Sequence, residues 1–402
     1  MARRPAAPRP EVLAFLDDIK EHPDDDAPPL ILADWLDERG EEARARFLRL
    51  QVEIARLADD DPRRPDLLRE EQELRSRHER AWLGPLRPLA EAWKWRRGLV
   101  HVTMTGTRFR SQPTRSASLS EAWAWVYGAT LRNVSEKGAS WVAASPLLAN
   151  LNRLHVGGDA LYAIGPRGAE ALAASPHLRR LTRLLLTNHG LTSAGAAALA
   201  CSPHLQRLAE LVLNNNAVGD AGVAVLARPE RLPRLVALEL GGNEVTDDGV
   251  RHLAGSPDRA RLAHLNLYRN HVGDAGVAAL TDSPHLANLR WLELARNRVT
   301  AQGAALLANA PAVRGLRYLS LSGNPIGYEG AQFLAASAHL GQLRELRVMG
   351  CNLSGEGVAL LFNSEELANL RTVYVSRGEA PHVVREGLRS PGGRELVLDK
   401  FY

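Results

Sequence analysis

The chain is poor in several residue types, and each shortage closes a class of function. Only two cysteines occur in 402 residues, Cys201 and Cys351. Two thiols so far apart build no disulfide framework, and they fit a reducing compartment. Aromatic residues make up 5% of the chain, so aliphatic side chains must fill the core. No apolar run approaches the roughly 20 residues that cross a bilayer as a helix. The first residues, MARRPAAPRP, are basic, but Asp17, Asp18 and Lys20 interrupt the stretch behind them, and no signal-peptide core follows. These absences predict a cytoplasmic protein with no membrane segment. The net charge of +4 is mild for this length and does not point to nucleic acid. No phosphate-loop signature, nucleophile elbow, H-E-x-x-H or C-x-x-C is present. The expectation is a non-enzymatic protein with no cofactor, no metal and no small-molecule substrate.

What is abundant is leucine at a fixed interval. A 27-residue unit starts at Leu181, Leu208, Leu235, Leu262, Leu289, Leu316, Leu343 and Leu370, and runs to Val375. Fixed-period self-similarity signals a repeat architecture and takes precedence over local readings. L-x-x-L-x-L places leucines such as Leu211 and Leu213 on one side of a short strand. Asn216, Asn243, Asn270, Asn297 and Asn324 recur where the chain leaves the strand, with Cys351 in the same phase. A buried amide there can serve the backbone of adjacent turns. Removing one should cost about 1–3 kcal/mol, and cutting a core leucine such as Leu240 to Ala about 2–5 kcal/mol. Gly222, Gly249, Gly276, Gly303, Gly330 and Gly357 then open Ala/Leu-rich runs with helical spacing. Ser202-Pro203, Ser256-Pro257 and Ser283-Pro284 end those helices.

Each unit is therefore strand, Asn turn, helix and return loop, and it buries its apolar side only against neighbours. The pattern resembles the leucine-rich repeat, in the helical subclass typified by ribonuclease inhibitor. The resemblance implies an α/β fold: a right-handed solenoid, a horseshoe with a parallel β-sheet inside and helices outside. Ahead of it lies a small all-α N-terminal domain. Val12, Phe15, Leu16 and Ile19 have helical spacing, a second helix spans Pro28 to Leu36, and Phe47, Leu50, Ile54 and Leu57 mark a third. A fourth runs from Pro65 to Trp82. HPDDDAPPLILADWLDERGEEARARFLRLQ resembles the repeat-companion domain that precedes repeats in large bacterial paralogue families. The residues that carry this likeness include Pro23, Asp24, Pro29, Leu30, Ala33, Asp34, Trp35, Leu36, Glu38, Arg39, Gly40, Arg44, Phe47, Arg49, Leu50 and Gln51.

The expected organisation is a disordered tail over 1–10 and the helical companion domain over 11–92. An N-terminal cap with a degenerate first repeat covers 93–150, the repeats 151–378, and a C-terminal cap 379–402. WRRGLVHVTMTG alternates into a strand, and five of the eight tryptophans, Trp93, Trp95, Trp123, Trp125 and Trp141, are expected to cover the open end of the first repeat. An insertion around Gly158–Gly165 lengthens one unit. Pro381–Leu388 reads as a helix and Glu395–Leu398 as a last strand.

Candidate sites divide into structural and functional ones. His177, His204, His285 and His339 share one phase but lack carboxylate or thiolate partners for a metal. Asp24, Asp25 and Asp26 read as a solvated turn with helix-capping duty. The arginines of 1–10 and 94–110 read as a solvated basic face. The informative positions face inward between the strand leucines. An alternating strand facing water should be small and polar there. Instead Arg183, Glu210, Glu239, His264, Asn266, Trp291, Glu293, Tyr318, Arg347 and Tyr374 there, with Tyr268, Arg269 and Arg296 just past the strands, make a wall of aromatic and charged groups. Trp, Tyr and Arg dominate binding hot spots. The reading is a protein-interaction scaffold whose concave face grips a macromolecular partner, a protein before a nucleic acid. Ladder stacking that merely stabilises strand pairing is the bland counterpart. A GTPase-activator-like regulator is the first alternative, implied by relatives of this repeat subclass. Nucleic-acid binding through the basic N-terminal segment is the second.

Overall fold

The computed structural model describes residues 8–111, 114, 121–158, 161–379 and 393–399. Two compact units divide the chain: Met1–Tyr162 with Ala174–Leu184, and Ala163–Ala173 with Leu185–Tyr402.

The first unit opens with α1 (Pro10–Glu21), α2 (Ala27–Asp37), α3 (Glu42–Arg56) and α4 (Arg64–Leu83). Their apolar stripes turn inward: Val12, Leu16, Leu32, Leu36, Phe47 and Leu50 are all buried. Order begins earlier than the sequence suggests. Residues 1–7 lie outside the described ones, but Arg9 pairs with Glu41 and Glu121, and α1 starts at Pro10. The Asp turn does its duty unevenly. Asp25 accepts a hydrogen bond from the Ala27 amide at 2.9 Å, while Asp26 pairs with Arg56 and Arg97.

A hairpin follows, β1 (Ala92–Arg96) antiparallel to β2 (Leu99–Thr105). Its two turn residues, Arg97 and Gly98, both have positive φ, the geometry that matches strand twist in a two-residue hairpin. Gly98 also touches α3: a Cβ there would lie 1.9 Å from Leu48 Cδ2. The strand β3 (Val126–Arg132) runs parallel to β2, and β4 (Arg153–Val156) parallel to β3. The short helices α5 (Gly106–Arg110), α6 (Glu121–Ala124) and α7 (Glu136–Ala143) lie between, and β5 (Arg183–Leu185) closes the series. Val100, Val102 and Met104 fill the core side of β2.

Three of the tryptophans gather around one cation. Trp82, Trp95 and Trp125 enclose the guanidinium of Arg44 at 4.7, 4.8 and 4.0 Å from their ring centroids. Cation–π contacts of this kind strengthen when water is excluded. Burial pushes the Arg44 guanidinium down to about 9. Trp123 is buried and donates its indole N–H to the Leu147 carbonyl at 3.3 Å.

In the second unit each repeat gives a helix and a short strand. The helices are α8 (Gly165–Ala173), α9 (Thr192–Ala200), α10 (Gly219–Leu226), α11 (Asp247–Ala254), α12 (Asp274–Thr281), α13 (Ala301–Asn309), α14 (Gly327–Ala335) and α15 (Ser354–Asn363). The strands are β6 (Glu210–Val212), β7 (Ala237–Glu239), β8 (His264–Asn266), β9 (Trp291–Glu293), β10 (Tyr318–Ser320), β11 (Glu345–Arg347), β12 (Thr372–Ser376) and β13 (Glu395–Asp399). They pair in parallel, in chain order. The expected last strand is β13, and the expected helix at Pro381–Leu388 lies outside the described residues, as do residues 159 and 160 of the insertion. Leu211, Leu238, Leu265, Leu292, Leu319 and Leu346, the middle residues of β6 to β11, are fully buried.

Three ladders stitch the repeats. Asn243 donates its amide to the Leu213 carbonyl at 2.9 Å and accepts from the Asn216 and Val218 amides. Its same-phase neighbours repeat the arrangement, and Cys351 substitutes its thiol, 3.1 Å from the Leu321 carbonyl. The second ladder was not expected. The Ser202, Ser283, Ser337 and Ser364 hydroxyls donate to Ala173, Ala254, Ala308 and Ala335, all within 2.6 Å. In the histidine phase, the His204, His285 and His339 backbone amides donate to those hydroxyls. The third is a cap: Asp220 accepts from the Thr246 and Gly249 amides of the next repeat, and Asp274 repeats this with Thr300. One expectation is corrected. The repeat glycine does not open the helix but sits inside its first turn, where helices nearly touch. A Cβ on Gly222 would stand 2.5 Å from Val218 Cγ1 and 3.1 Å from Ser193 Cα.

Candidate functional site

The open face of the second unit's sheet is built by arithmetic. The register has no shift, so residues 27 apart stand side by side. Glu210, Ala237, His264, Trp291, Tyr318, Glu345 and Thr372 form one row across the strands. Val212, Glu239, Asn266, Glu293, Ser320, Arg347 and Tyr374 form the next. Neighbouring strands lie about 4.8 Å apart, close to the stacking distance of flat rings. His264 accordingly stacks on Trp291 at 3.8 Å and 7°, and Trp291 on Tyr318 at 4.5 Å and 9°. All three are half-buried on the side away from the leucine core.

Charged groups frame the stack. Glu239 faces His264 Nε2 at 3.2 Å and accepts from Asn214 at 2.8 Å and Asn266 at 3.2 Å. The His264 contact holds the Glu239 carboxyl below its ordinary range. Glu293 takes the Tyr318 hydroxyl proton donor at 2.9 Å and the Ala295 amide at 2.7 Å. Burial outweighs these bonds and raises the Glu293 carboxyl. Burial and the Glu293 charge together push the Tyr318 hydroxyl upward. Arg347 is oriented by Glu345 at 2.7 Å and lies over Tyr374, 4.4 Å from the ring centroid. Arg296 lies 5.8 Å from the Tyr268 centroid.

The turn after each strand carries a further signal. Asn188, Asn215, Gly242, Arg269, Arg296, Gly323 and Gly350 share one phase, and all have positive φ. Five are the Asn and Gly that tolerate this region. Arg269 and Arg296 do not, and they flank the aromatic stack. A non-glycine side chain held there costs of order 1–3 kcal/mol, and such strain concentrates at ligand-contacting sites. This could be found from the sequence only by asking which phase normally holds Gly or Asn.

Twelve of the thirteen expected residues lie in the second unit; Arg183 belongs to the first. Glu210, Glu239, His264, Asn266, Tyr268, Trp291, Glu293, Tyr318, Arg347 and Tyr374 are half-buried on this face, while Arg269 and Arg296 are exposed. Val212 and Ser320, in the same rows, are covered. Asn214 and Glu345, which orient Glu239 and Arg347, were not among the thirteen.

Of the expected basic face, Arg3 and Arg4 lie outside the described residues. Arg97 pairs with Asp26, Arg108 lies 3.7 Å from Glu91, and Arg110 covers Trp141 at 3.8 Å. Among the described residues no three His, Cys, Asp or Glu side chains gather as a metal site, and no helix is long and apolar enough to cross a membrane.

A leucine-rich repeat family model matches residues 233–254, 262–280, 316–335 and 343–362. No curated protein matches the sequence. Among solved structures, an internalin from Listeria monocytogenes is 18% identical, covering 75% of this chain and 86% of its own, with a TM-score of 0.41. The yeast Rad7 and Elc1 complex is similar over 98% of both chains at 14% identity and a TM-score of 0.48. InlP of Listeria monocytogenes is 13% identical over 69% of this chain and 62% of its own, with a TM-score of 0.33. The matched stretches share one phase of the 27-residue period with the strands, helices and asparagine ladder described above, and over them the chain carries leucine-rich repeats.

Proposed function

We propose that the open sheet face of β7 to β12 binds a protein partner, centred on Trp291 and Tyr318. Leucine-rich repeats are a general scaffold for protein–protein interaction, and the surface decides what is bound. The observation that carries the reading is the half-exposed His264–Trp291–Tyr318 stack. It is framed by Glu239, Glu293 and Arg347 and flanked by two arginines in strained turns. Large amphipathic rings with oriented charges around them supply most of the energy at protein interfaces. The neighbouring helices belong to the ribonuclease-inhibitor-like subclass in this reading. The finer organisation is likewise proposed: residues 11–92 a repeat-companion module, 93–150 a cap, 151–378 the repeats, and a cytoplasmic, non-enzymatic role.

The test is Trp291→Ala combined with Tyr318→Ala. Partners of the full chain are captured by crosslinking in its native host, identified, and rebound in purified form. Loss of a hot-spot ring should weaken affinity about thirtyfold or more. Cross-strand pairs contribute only about 0.2–1 kcal/mol each, so the melting temperature should move little. Unchanged affinity with a clearly lowered melting temperature would show that the stack only stiffens the sheet.

A further inference from the structure

The edge of the second unit's sheet where the strands begin carries a row of its own. The residue just before each strand is bonded, backbone to backbone, to its counterparts in neighbouring repeats. Ala209, Val236 and Ala263 hold this phase before β6, β7 and β8. Arg290, Arg317, Arg344 and Arg371 hold it before β9 to β12. The backbone bonds are alike along the row. The Ala263 amide donates to the Val236 carbonyl at 2.9 Å, and the Arg344 amide to the Arg317 carbonyl at 2.8 Å. A small apolar residue therefore satisfies the fold at this phase, and four arginines in succession need another reason.

The four stand about 4.8 Å apart, the spacing of neighbouring strands. Like charges directly opposite one another destabilise a sheet. Arg317, Arg344 and Arg371 are exposed, and among the described residues no carboxylate pairs with any of the four. Glu345, the carboxylate in the next row, is engaged by Arg347 at 2.7 Å. Arg290 is half-buried, and its guanidinium donates to the Leu289 and Ala287 carbonyls at 3.0 and 3.3 Å, in space left open by Gly315. Arg290 and Arg317 immediately precede Trp291 and Tyr318, so the cations and the stacked rings belong to one surface.

We infer that the protein bound by this face is acidic where it meets the strand starts: a run of Asp or Glu lies along Arg317, Arg344 and Arg371, beside the aromatic stack. This rests on the reading of the face as a protein-binding one and names the partner's chemistry. Guanidinium forks suit carboxylates in bidentate pairs. On a helix, carboxylates at i and i+4 stand about 5–6 Å apart, close to the pitch of the row. A nucleic acid fits less well. Stacking a base needs an open ring face, while Trp291 is covered on both faces by His264 and Tyr318. A nucleic-acid backbone also carries charge at every residue and would meet Glu239 and Glu293 deeper in the sheet face. A protein segment places its carboxylates on one side only.

The experiment measures, at low salt, binding of the full chain to a fluorescent glutamate dodecapeptide, a glutamine dodecapeptide and a thymidylate dodecamer. Saturable binding of the glutamate peptide is expected, weakening as added salt screens exposed charges. Arg317→Gln with Arg344→Gln should weaken it about tenfold. Neither change threatens folding, because the same phase accepts Ala and Val. Arg228→Gln with Arg251→Gln takes equal charge from exposed positions beside α10 and on α11, and should leave binding unchanged. The proposal is overturned by no saturable binding of the glutamate peptide, by the glutamine peptide binding as tightly, or by equal loss in the Arg228 and Arg251 variant. Tighter binding of the thymidylate dodecamer would also overturn it, making the edge a nucleic-acid site. Against the purified native partner the two readings separate. An Arg317 and Arg344 variant that binds it normally overturns the acidic contact and leaves the stack standing. A Trp291 and Tyr318 variant that binds it normally, beside an arginine variant that does not, removes the stack and upholds the row.

Discussion

Arg269 and Arg296 concentrate at residue scale the tension between stability and function in this protein. Their phase demands a left-handed backbone that five other repeats meet with Asn or Gly. Arg296→Gly should therefore raise stability by about 1 kcal/mol, read as a urea midpoint, while weakening the partner. A stabilised variant that binds normally would remove Arg296 from the interface. The sequence showed that these arginines follow the strands. It could not show their strain, which comes from stacking one turn on the next. Cys351 makes the opposite case. It occupies the asparagine phase, is fully buried, and burial pushes its thiol to about 12, whereas Cys201 is exposed. Thiolate is the reactive form, so maleimide should label one thiol in the native chain and two in denaturant. Native labelling of both would mean that the last repeats open readily.

The strand and asparagine turn were legible as elements, because a two-residue alternation and a fixed amide leave a periodic trace. The serine ladder was not. Ser-Pro announced the end of a helix, and the proline obscured the hydroxyl beside it. Ser283 Oγ reaches back 29 residues to the Ala254 carbonyl, a link between helices that no local pattern contains. Ser283→Ala should strand that buried carbonyl and cost about 1–3 kcal/mol. A loss below a few tenths would mean that water replaces the hydroxyl. The repeat glycine misled for a related reason. Small residues early in a helix look like start signals, but Gly222 is small because α9 passes beside it.

For the whole molecule, leucine periodicity foretold the second unit far better than the first. A repeat writes each contact many times. In the first unit Arg44 meets Trp82, Trp95 and Trp125 once, from positions dozens of residues apart. That unit also buries Lys20, whose ammonium donates to the Ala124 carbonyl at 2.6 Å. Burial lowers Lys20 to about 7, with Arg180 adding to the shift. The sign follows from proton counting. Between the folded value near 7 and the ordinary lysine value near 10.4, the unfolded chain holds a proton that the folded chain lacks, so stability rises with pH across that window. Below about pH 7 both states are protonated and the burial penalty is felt in full. Arg44, at about 9, extends the trend upward. Seven of the eight tryptophans lie in this unit and only Trp291 in the other, so indole fluorescence reports its unfolding. The fluorescence-detected urea midpoint should rise from about pH 7 to about pH 9.5, and Lys20→Met should flatten that rise. Parallel curves for the two proteins would mean that Lys20 keeps its proton when buried, held by the Ala124 carbonyl and the nearby Asp17.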